Sequence, residues 1–64
     1  MNWYTEHHDN GTMIVCIAHG LGFSYLLNTD QMKMAHDPAF LFWQAIGAIT
    51  RSVREYGKYL EGGV

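Results

Sequence analysis

Four histidines and one cysteine carry the ligand chemistry of this 64-residue chain: His7, His8, His19, His36 and Cys16. A structural zinc site needs four such donors at one point, and a catalytic one needs three and an open position. On a strand, adjacent His7 and His8 point to opposite faces, and Cys16 and His19 diverge in the same way. No spacing matches a metal motif, so neither a metal nor a cofactor is expected. Nucleophilic catalysis has as little support. Ser24 and Cys16 lack the glycine-flanked elbow that exposes a nucleophile, and Glu6 beside His7 and His8 is a pair that any polar strand can contain. So short a chain seldom builds a deep pocket alone, and we expect no enzyme.

The cluster with binding chemistry is basic. Arg51 and Arg54 are three residues apart and Arg54 and Lys58 four, so on a helix they share a face. Ser52 adds a hydroxyl, and Tyr56 and Tyr59 flank the group. Two guanidiniums with a hydroxyl suit a phosphate or a carboxylate-rich partner. Tyrosine beside arginine suits a stacked base or an interface hot spot. One subunit could not enclose such a ligand, so a small anion, a nucleotide for example, would be held between subunits. A solvated helix face shared with Glu55 and Glu61 accounts for the same residues without any ligand.

These residues must be positioned by a single domain spanning 1-64. A chain of about 60 residues buries only about 60% of the surface its unfolded form exposes, and domains this small usually add disulfides, a metal or a partner subunit. One cysteine excludes an intramolecular disulfide, and in the run Met13-Ile14-Val15-Cys16-Ile17-Ala18 it reads as a small buried hydrophobe. Hydrophobic residues make up 48% of the chain and nine residues are aromatic, which excludes disorder. The net charge of −2 gives neither the basic excess of a nucleic-acid binder nor the acidic density of a nucleic-acid mimic. The longest apolar run falls far short of the roughly 20 residues that span a bilayer, and the N-terminus lacks the early Lys or Arg of a signal peptide. A soluble cytoplasmic protein is the expectation.

Local signals define an α+β fold: an N-terminal antiparallel hairpin or three-stranded meander, then one long amphipathic helix. Asn10-Gly11 favours a type I′ turn, since both residues tolerate φ > 0. Strands over 2-9 and 12-19 would then set His7 opposite Ile14 and Trp3 opposite Ala18. A second tight turn at Gly20-Leu21 leads to a strand over 22-27, with Ala18 opposite Phe23 and Cys16 opposite Tyr25. One sheet face then carries Trp3, Ile14, Cys16, Ala18, Phe23, Tyr25 and Leu27 as the core. Asn28–His36 reads as a loop with a helical turn capped by Asn28 or Thr29, the alternative being an edge strand in which Met32 and Met34 alternate with polar neighbours. Asp37-Pro38 starts a helix over 38-60, because Asp accepts from orphan N–H groups and Pro suits the first helical position. Gly62-Gly63 ends it. Phe42, Ile46, Ile49, Val53, Tyr56 and Leu60 form its apolar stripe.

Both elements carry more apolar surface than this packing uses. The N-terminal half of the helix also holds Phe40, Leu41 and Trp43, and the second sheet face holds Tyr4, Met13, Val15, Ile17 and Leu26. Such patches invite association. Gly47, beside Ala45 and Ala48, lets another backbone approach, and it costs about 1 kcal/mol relative to Ala inside a helix. Phe40, Leu41, Trp43 and Gly47 therefore read as a partner or oligomer interface, unless Asn28–His36 folds over them. The expected function is a small non-catalytic inhibitor or adaptor that binds a larger protein and self-associates. The alternatives are the anion-sequestering homo-oligomer and a purely structural assembly subunit. Phage-encoded inhibitors of host defence, acting in the host cytoplasm, share this chain's size and stand-alone economy. No residue carries that likeness, and analogy of architecture does not establish function.

Overall fold

In the computed structural model, which describes residues 1–62, three antiparallel strands precede two helices. The strands are β1 (Asn2–His8), β2 (Gly11–Ala18) and β3 (Leu21–Asn28), in the spatial order β1-β2-β3, and the helices are α1 (Thr29–Met34) and α2 (Pro38–Gly62). Gly63, expected beyond the helix end, lies outside the described residues. The fold is the expected α+β meander followed by a long helix. No helix among the described residues is long and apolar enough to cross a membrane.

Both turns sit one residue earlier than expected, which slides each strand pair by two residues. The first loop is Asp9-Asn10, and Gly11 opens β2 opposite His8, so Thr5 faces Ile14 and Trp3 faces Cys16. Gly11 is needed there for a tertiary reason. Its φ is +153°, and a Cβ would overlap the Leu27 carbonyl and lie 3.0 Å from the Asn28 Cα. The second loop is His19-Gly20, with φ of 54° and 75°, the two positive values a type I′ turn requires. Ala18 therefore faces Leu21, Cys16 faces Phe23 and Ile14 faces Tyr25. Because side chains alternate with a period of two, a slip of two residues leaves every residue on its expected face.

α1 is a helix in its own right, and a capping box explains its start. The Asn28 side chain accepts from the Asp30 N–H at 2.7 Å, while Gln31 Oε1 accepts from the Asn28 N–H at 3.3 Å. The Thr29 N–H donates to the Asn10 carbonyl at 2.9 Å, tying α1 to the first turn. Asp37 caps α2 as expected, its carboxylate accepting from the Ala39 N–H at 3.1 Å.

The core lies between α2 and the inner faces of β2 and β3. Ile14, Cys16, Ala18 and Leu27 of the sheet meet Ala45, Ile49 and Val53 of the helix, with Phe23, Met32, Leu41, Phe42 and Ile46 around them. Trp3 and Tyr25, expected in this core, are instead 40% and 43% exposed. For Trp3 the reason is width. Strands about 4.8 Å apart make a three-stranded sheet about 14 Å across, whereas a helix with its side chains is about 10 Å wide. α2 lies toward β3, and none of its Cα atoms comes within 8 Å of one in β1. Every residue of β1 is exposed. Length adds to the mismatch, since 25 helical residues rise about 37 Å against about 27 Å for an eight-residue strand. The molecule measures 42 × 20 × 16 Å.

Gly11→Ala should destabilise the fold by about 3 kcal/mol, the upper end of the overpacking range, as measured by urea denaturation. An unchanged midpoint would mean that β2 can move away from Leu27 at no cost.

Candidate functional site

The heptad-like turn of α2 gives it two opposed stripes. One, through Ala45, Ile49 and Val53, is buried against the sheet. The other runs outward through Phe40, Trp43, Gly47, Arg51, Arg54 and Lys58, all of them exposed. Its N-terminal half is aromatic and its C-terminal half cationic. α1 does not cover the aromatic half: Phe40 remains 58% and Trp43 71% exposed. Gly47 has open space where a Cβ would stand, so nothing within the chain requires a glycine at this helix position. Leu41 departs from the expected interface set. It is half-buried and packs against the core, because the i, i+4 spacing to Ala45 turns it toward the sheet.

Two concavities lie beside this stripe. A cleft of about 430 Å³ is lined by Trp43, Ile46, Gly47, Thr50, Arg51 and Arg54. A second, of about 580 Å³, occupies the space that α2 leaves open over β1, between Met1, Trp3 and Thr5 on one side and Phe42, Ile46 and Thr50 on the other. Ile46 and Thr50 border both, so the two form one continuous and mainly apolar surface. The sequence signals place Trp3 in a closed core and so give no sign of this groove. The width of one helix against three strands was the available clue.

The expected anion-binding set divides between two sides of the helix. Arg51, Arg54 and Lys58 stay together on the outward stripe. Ser52, Tyr56 and Tyr59 turn toward β3, because a step of one residue rotates a side chain by about 100°. The Ser52 hydroxyl donates to the Ala48 carbonyl at 3.2 Å, and Ser52 borders a small cleft with Phe23 and Tyr25. The Tyr56 ring packs among His19, Phe23 and Tyr59 at centroid separations of 5.9, 6.1 and 6.2 Å. There it anchors the second turn to the helix.

The remaining titratable side chains stand apart. Glu6 and His8 pair at 3.1 Å on the outer face of β1, and His7 Nδ1 lies 3.4 Å from the Thr12 hydroxyl. Among the described residues no three His, Cys, Asp or Glu side chains converge on a point. Cys16 is a free thiol, fully buried, and donates a weak hydrogen bond to Met1 Sδ at 3.9 Å.

Comparison with known protein families, characterised proteins and solved structures finds no match.

The exposed aromatics and the core should respond differently to truncation. Trp43→Ser, in the isolated subunit, is expected to change stability by less than about 0.5 kcal/mol, as at other exposed sites. Ile49→Ala should lose about 3 kcal/mol. Thermal or urea denaturation at concentrations low enough to hold the chain monomeric checks both.

Proposed function

We propose that this chain is a non-catalytic binding protein, an inhibitor or adaptor that acts by protein–protein contact and self-associates through the outward side of α2. The observation that carries this is the exposure of Phe40 and Trp43 on the helix face turned away from the core. Large aromatics beside arginines are the residue types that dominate binding energy at interfaces. The adjoining groove extends the apolar surface to Met1 and Trp3 at the start of β1, which are also exposed. The cytoplasm is the compartment we assign, where a free thiol such as Cys16 stays reduced.

A second reading, that the oligomer sequesters a small anionic ligand, is favoured by one observation. Arg51 and Arg54 line the same cleft as Trp43, so an indole face lies beside two phosphate-binding guanidiniums. Titration calorimetry with a panel of nucleotides tests it, and the absence of heat from every member excludes it.

The primary reading predicts that Phe40→Ser/Trp43→Ser keeps the helical circular dichroism of the parent yet loses association. Truncation of an interface hot spot removes about 2 kcal/mol or more, so the double variant should dissociate at least about 30-fold more readily in sedimentation equilibrium. A double variant that associates as well as the parent overturns the reading.

A further inference from the structure

The chain exposes more surface than a compact monomer of its mass requires. The chain exposes 4842 Å², whereas the relation between mass and surface for compact monomers gives about 4,200 Å². The excess, roughly 640 Å², is of the same order as the ~800 Å² that each partner contributes to a standard interface. The radius of gyration agrees, at 13.3 Å against about 11 Å for a compact chain of this length.

We propose that this surface is a homodimer seam in which α2 packs antiparallel against α2 of a second copy, about a two-fold axis passing between Gly47 and Thr50. The proposal rests on the self-association reading above and names its contact. Three observations lead to it. Phe40, Trp43, Gly47, Thr50 and Arg54 recur at intervals of three and four, the spacing that keeps one side of a helix against a neighbouring helix. The two halves of the stripe are complementary only when reversed. With Gly47 opposite Thr50 of the second copy, Trp43 faces that copy's Arg54, and symmetry repeats the contact with roles exchanged. Each indole then lies against a guanidinium, a cation–π pair made twice. Parallel packing would instead set Arg51, Arg54 and Lys58 against their own copies.

The third observation is Gly47. Nothing within the chain requires a glycine at this position, and its missing side chain lets the two backbones approach at the axis.

Two variants test the seam. Gly47→Gln puts bulk into a position that is open within the chain and improves helix propensity. The variant should therefore keep its helical circular dichroism and show no loss of monomer stability, while its dimer dissociates at least tenfold more readily by sedimentation. Separately, Gly47→Cys and Thr50→Cys chains are mixed and oxidised. The native Cys16 is fully buried and does not compete. The proposed register brings the two new thiols together across the axis, so the mixture should cross-link in much higher yield than either chain alone. A Gly47→Gln dimer as tight as the parent, or a mixture that cross-links no better than its components, overturns the antiparallel seam and leaves self-association standing. A parent chain that remains monomeric at several hundred micromolar overturns both.

Discussion

A single helix about 10 Å wide lies across a three-stranded sheet about 14 Å wide, and that difference sets how this protein buries its apolar residues. α2 must choose two strands, and it lies over β2 and β3. Cys16, Ile14 and Leu27 are sealed beneath it, together with Ala45, Ile49 and Val53. The small size of Ala45 and Cys16 lets the helix sit close to the sheet. β1 contributes backbone pairing to β2 and almost nothing to the core, which is why a strand carrying Trp3 and Tyr4 stays exposed along its whole length. The open groove is thus a product of architecture, and no element among the described residues covers it.

What was legible in the sequence was what local chemistry decides. Asp37 and Pro38 mark the start of α2 because capping and a fixed φ are properties of the residues themselves. The stripe from Phe42 to Val53 shows its periodicity without any knowledge of the sheet. The turns were legible only in outline. Asn10-Gly11 pointed to the right region, yet Gly11 is reserved for the close approach of the Leu27 carbonyl, a contact between distant residues. His19 is not a residue that announces a left-handed conformation. It holds φ of 54° with its ring against Tyr56, so support for the turn comes from α2, nearly forty positions later.

The candidate binding residues divide along the same line. Phe40, Trp43, Gly47, Arg51, Arg54 and Lys58 share a stripe because their spacing is helical. Ser52, Tyr56 and Tyr59 are near those cations in sequence but not in space. Leu41 sits beside Phe40 in the chain and yet belongs partly to the core. In each case the angle around the helix, rather than the distance along it, decides the role.

Cys16 lies on the central strand, under the helix, and its side chain has no exposed surface. A dissolved thiol reagent can reach it only after α2 has lifted from β2 or β1 has peeled away. Under native conditions its modification rate therefore follows the population of that open form. The protein carries an internal clock for its own breathing, read by one sulfur atom, and anything that clamps α2 to the sheet slows it.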